Sequence, residues 1–136
     1  MTPASKPVEI YNPYPPFIPC PGENGYSLSV DSGNTTLELT FDSEQVDGDD
    51  SKVKFIFEHV VMVDIVSFPG VSTISVQYDK TMLGSLVEFT DSSYTDAWHR
   101  HFNNMFTFKH FNILLLNQNK KIDIICEDVK ITRTGI

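Results

Sequence analysis

The chain has 136 residues, of which 40% are apolar and ten are Phe, with 18 acidic against 10 basic side chains and a formal net charge of −8. That length and aromatic content argue for one self-sufficient domain and against intrinsic disorder over most of the chain. The charge argues against a phosphate-tracking nucleic-acid surface, because no basic cluster exceeds the pair Lys120 and Lys121.

Seven of the eight prolines fall within residues 3 to 21, so composition changes sharply at Gly22. Residues 1–22 read as a proline-rich N-terminal arm and 23–136 as a single domain. Within the arm, "YNPYPPFIPCPG" interleaves prolines with Tyr11, Tyr14, Phe17 and Ile18. Proline fixes φ and removes a donor, so the segment is extended and suited to a sheet edge. Four large apolar side chains favour packing on the protein's own sheet, with a partner's sheet as the alternative. The PxxP spacings lack the basic residue that often orients such ligands.

From Tyr26 the pattern turns to strand. "YSLSV" places Tyr26, Leu28 and Val30 on one face, and after the turn "DSGN" the run "TTLELTF" places Leu37, Leu39 and Phe41 on one face. This is a hairpin with one wet side. The acidic loop "DSEQVDGDD" then leads to "VKFIFEHVVMVDIVSF", which is either one long central strand or two strands with a bulge near Glu58 and His59. Pro69 and Gly70 mark a turn, and a further strand is expected over 71–78, followed by a short strand at "SLVEF".

A helix is expected from a cap among Asp91, Ser92 and Ser93, with Ser93 and Asp96 at capping-box spacing. Tyr94, Trp98, Phe102 and Met105 form its apolar stripe, giving about three turns. The last third holds two apolar runs around "NQNKK", a hairpin turn. Phe111, Ile113 and Leu115, with Ile122, Ile124 and Cys126, are expected to supply much of the core. Glu127 and Asp128 break the alternation, which marks a bulge or a strand end. The expected fold class is α+β and mainly β: an antiparallel sheet or sandwich with one amphipathic helix before the C-terminal hairpin.

Cys20 and Cys126 have no spacing typical of a zinc or redox pair and read as thiols, a single bridge being the alternative in an exported protein. The start "MTPASKPVEI" has no apolar core of signal-peptide length and no apolar run approaches about 18 residues, so a cytoplasmic protein with no membrane association is expected.

No constellation of catalytic residues stands out, and neither a cofactor nor a metal is expected. His99 and His101 lie about 200° apart on a helix and cannot share a metal. "DGDD" gathers oxygen ligands, but the alternation and glycine of a calcium loop are missing, leaving a solvated acidic loop. Two functional readings remain. In the first, the acidic residues Asp42, Glu44, Asp47, Asp49 and Asp50 hold a basic protein partner without catalysis. In the second, a pocket between sheet and helix, around Glu58, His59, Trp98 and His110, binds a small molecule or carbohydrate. A structural subunit reaching a neighbouring copy through the arm is a third.

The ending "HFNILLLNQNKKIDIICEDVKI" resembles, in hydrophobic pattern, the last hairpin of small bacterial proteins of toxin-immunity type. The resemblance implies a small, acidic, cytosolic, non-enzymatic binder, and it assigns no site residue.

Overall fold

The computed structural model of the chain describes residues 7–11, 25–31, 33–41, 51–67, 86–90, 92–115 and 120–134. The acidic loop, the strand expected over 71–78, Cys20 and the turn before Lys120 lie outside the described residues. The elements are β1 (Pro7–Tyr11), β2 (Gly25–Asp31), β3 (Asn34–Phe41), β4 (Ser51–Glu58), β5 (Met62–Ser67), β6 (Leu86–Phe89), α1 (Ser93–His101), β7 (Lys109–Leu115), β8 (Lys120–Cys126) and β9 (Asp128–Thr134). The strands form two antiparallel sheets, ordered β1-β6-β7-β8-β5 and β2-β3-β4-β9. Among the described residues the fold is therefore mainly β with one helix before the β7–β8 hairpin, and the sheets are open. Among the described residues no helix is long and apolar enough to cross a membrane.

Alternation along each strand decides what lies between the sheets. Leu37, Leu39, Val53, Phe55 and Phe57 from the second sheet meet Leu86, Phe111, Ile113, Leu115, Ile122, Ile124 and Cys126 from the first. Phe57 is the aromatic bridge, 5.8 Å from Phe111 across the core and 6.3 Å from its neighbour Phe55. The opposite face of β3 and β4 is polar apart from Ile56, with Glu38 directly across from Lys54 and their charged ends 3.8 Å apart. Tyr26 and Leu28 pack on the core, whereas Val30, expected on the same buried face, is 72% exposed beside the turn. That turn contains Gly33 at φ +82, a conformation that glycine adopts without a Cβ clash.

The central strands β6, β7 and β8 of the five-stranded sheet are buried on both faces, while the edge strands β1 and β5 are largely exposed. Val87, Phe89, His110, Asn112, Leu114, Asp123 and Ile125 alternate with the core residues and are buried on the far side. This explains why "HFNILLL" and "IDIIC" read as near-continuous apolar runs. Part of the proline-rich arm joins this sheet, since β1 pairs antiparallel with β6. Pro7 begins that strand, where its missing N–H is tolerated.

Helix α1 is shorter than its sequence stripe implies. It ends at His101, and Met105 lies beyond it at 76% exposure. Asn103 and Asn104 both take positive φ, 51° and 58°, which turns the chain out of the helix before Met105 can join the stripe. The cap is Ser92, whose side chain accepts from the Tyr94 N–H at 3.1 Å, in place of the Ser93–Asp96 box.

Cys126 is a buried free thiol whose S–H reaches the Asp128 carbonyl at 3.4 Å. Burial pushes it up to about 12. A thiol held above its unfolded value stabilises the fold fully below the ordinary thiol range, and that contribution is lost as pH rises toward about 12. In a Cys20→Ser variant, alkylation of Cys126 by iodoacetamide at neutral pH should run on the order of a thousandfold slower in the folded than in the urea-unfolded protein. Equal rates would show that the thiol is not sequestered.

Candidate functional site

The run "FEHVVMV" does not continue as one strand. β4 pairs with β9 in one sheet and β5 pairs with β8 in the other, so a single long ladder folds from sheet to sheet at one corner. Between the pairs Glu58↔Asp128 and Met62↔Ile125, residues 59–61 face only residues 126–127, so the β4–β5 side carries one extra residue. An extra residue on one side bends the ladder, as in a β-bulge. Two backbone bonds close the corner: Glu127 N–H to the Glu58 carbonyl at 3.0 Å and Val61 N–H to the Ile125 carbonyl at 2.9 Å. A third, from Val60 N–H to the Gly33 carbonyl at 2.9 Å, ties the corner to the β2–β3 turn.

His59 sits at the apex with φ 53, its N–H reaching Asn34 Oδ1 at 3.3 Å. A left-handed conformation at a non-glycine residue costs on the order of 1 kcal/mol and persists where neighbours enforce it. The imidazole Nδ1 lies 2.7 Å from Glu127 Oε2, with the His59 side chain 70% exposed. The sequence places His59 in an apolar strand beside Glu58. Instead it lies at a break in the strand and its partner is Glu127, while Glu58 ends β4 and holds Lys130 at 3.3 Å.

Next to this corner lies a cavity of about 310 Å³. One wall is Gly33, His59, Val60, Val61 and Glu127, and the other is Phe102, Phe106 and Phe108 from the chain leaving α1. The second wall is built locally. His99 Nε2 accepts the Phe108 N–H at 2.9 Å and its ring stacks on Phe108, with centroids 5.8 Å apart at 21°. This folds the post-helix segment back, so that Phe102 and Phe106 meet edge to face at 5.3 Å and 88°, with Phe108 5.7 Å from Phe102.

Of the four residues expected to line a pocket, only His59 does so. Trp98 stacks on Phe102 with centroids 6.1 Å apart, off the cavity wall. His110 is fully buried on the far face of the β7–β8 hairpin, in a row of its own. Ser92 Oγ is 2.7 Å from His110 Nδ1, and His110 Nε2 is 2.7 Å from Asp123 Oδ1, which also accepts from Asn112 Nδ2 at 2.8 Å. Burial alone would raise the Asp123 carboxyl, but hydrogen bonds from His110 and Asn112, with the charges of His110 and Lys121, outweigh it and hold the group below the usual carboxylate value. The ionised carboxylate accepts the Nε2 proton, which leaves Nδ1 to accept the Ser92 hydroxyl when the ring is neutral.

Ser, His and Asp in one row have the composition of a hydrolytic triad. Here Ser92 and His110 expose no surface, and the Ser92 oxygen caps α1 through Tyr94. The row locks the helix to the sheet, and a substrate cannot reach it in this conformation. At the corner, the described residues of the cavity wall offer no hydroxyl, thiol or amine as a nucleophile, and the N–H groups of residues 59–61 are already engaged. Among the described residues no three His, Cys, Asp or Glu side chains gather as a metal site.

The acidic residues Asp42, Glu44, Asp47, Asp49 and Asp50 lie outside the described residues. Missed in the sequence were Glu127, Phe106 and Phe108. Their signals were the broken alternation at Glu127 and the aromatic run "FNNMFTF" after the helix. No protein-family model, curated protein or solved structure matches the chain.

Proposed function

We propose that this protein is a non-catalytic binding module whose ligand site is the cavity at the sheet-switching corner. The observation that carries this reading is the juxtaposition of three phenylalanines and two valines with a single polar pair, His59 and Glu127, around a cavity of about 310 Å³. Small-molecule sites are concave and mostly apolar, with few polar groups to fix orientation, and this volume lies at their small end. Exposed apolar area supports it as well, because Phe106, which lines the cavity, is 42% exposed and its chain neighbour Met105 is 76% exposed.

A neutral apolar fluorophore, N-phenyl-1-naphthylamine, tests the reading. Saturable binding at one site is expected, weakened about tenfold in Phe106→Ser by loss of an aromatic wall. Because Phe106 lies outside the core, circular dichroism of the variant should be unchanged. Absence of saturable binding, or equal binding by both proteins, would overturn the reading.

A further inference from the structure

We infer that the ligand of this cavity is a small alkylated ammonium compound; this rests on the binding-module reading above and adds the chemical class of the ligand. Phe102 and Phe106 stand almost perpendicular, at 88°, with Phe108 beside them, so their rings form an aromatic corner. The face of an aromatic ring carries negative quadrupolar potential and attracts a cation within about 6 Å of its centre. Glu127 adds a carboxylate to the lining of the same cavity, held in position by His59 at 2.7 Å. Rings and a carboxylate lining one cavity complement a cation wrapped in methyl groups, whose surface is apolar and whose charge is spread.

The whole chain biases the choice in the same direction. A net charge of −8 draws cations toward the surface and repels carboxylate or phosphate ligands. A neutral apolar ligand would gain from the valines and phenylalanines but nothing from Glu127.

The test is a pair of nuclear magnetic resonance titrations with choline and with its neutral isostere 3,3-dimethylbutan-1-ol, reading His59 and Phe106 signals. Choline should bind about fivefold or more tightly than the isostere. Glu127→Gln should lose part of that preference, the rings keeping the rest, while Asp96→Asn, an exposed acid at the other end of α1, should leave it intact. Equal affinities would overturn the ammonium assignment and leave the apolar site standing if both compounds bind, and a preference untouched by Glu127→Gln would overturn the part given to the carboxylate. If neither compound binds and N-phenyl-1-naphthylamine also fails, the site itself falls, and the assignment with it. Phosphatidylcholine vesicles form the last arm: retention of the protein on vesicles with no binding of free choline would overturn the choice of a free small molecule.

Discussion

Asp123→Ala is expected to destabilise the protein by about 3–5 kcal/mol, because it removes one member of a buried, hydrogen-bonded ionic row and leaves two buried donors without their acceptor. His110 exposes no surface and Asp123 only 6%, so water cannot take over the lost contacts. The substitution strips His110 Nε2 and Asn112 Nδ2 of their acceptor at once. The thermal midpoint should fall by on the order of 10 °C or more. Asp123→Asn keeps the shape and one acceptor oxygen, so it should lose less.

The same row sets an acid limit. The folded Asp123 carboxyl lies below its unfolded value, so its contribution is fully present above the unfolded carboxylate range and is lost as pH falls through the folded value. Urea midpoints of the wild type should decline in that acidic window more steeply than those of Asp123→Asn, which has no such carboxyl. Parallel pH profiles for the two proteins would show that the row contributes nothing specific to stability.

Phe57→Ala should have an effect of similar size, about 3–5 kcal/mol, through a different mechanism. Phe57 is fully buried and spans the gap between the sheets to reach Phe111. Neighbouring strands on both sides, β3 and β9, fix its backbone in a continuous ladder, so the cavity left behind cannot collapse easily. Denaturant unfolding measures the loss directly, and Phe57→Leu, which refills part of the volume, should recover about half or more of it. A loss below about 1 kcal/mol for the alanine variant would mean that the two sheets are not packed through this residue.

Much of the strand layout was legible because burial imposes period-two alternation on any chain that pairs as strands. Leu37 and Leu39, Val53, Phe55 and Phe57, and the two triplets Phe111 to Leu115 and Ile122 to Cys126 all lie in the core where alternation put them. The breaks at Glu58–His59 and at Glu127 were visible too, though only as two separate irregularities. The helix was visible as a stripe but not in length. Two consecutive asparagines in a left-handed turn end it, and a periodic pattern of apolar residues is indifferent to such a turn.

The site was far less legible, since each of its walls joins residues distant in sequence. His59 and Glu127 stand 68 positions apart, and nothing near either residue names the other. Ser92, His110 and Asp123 likewise lie on the helix cap and two strands, and a buried polar row is invisible in single positions that merely look polar. The sequence by itself determined the class of the fold, its acidic character and most of its core, because those follow from local periodicity and composition. Only the tertiary structure decided that two strand breaks form one corner, that His59 pairs with Glu127 while His110 is sealed inside, and that three phenylalanines face that corner. The physical reason is register: side-chain pairing across strands depends on how ladders align and bend in space, and the periodicity of one strand carries no information about its neighbour's alignment.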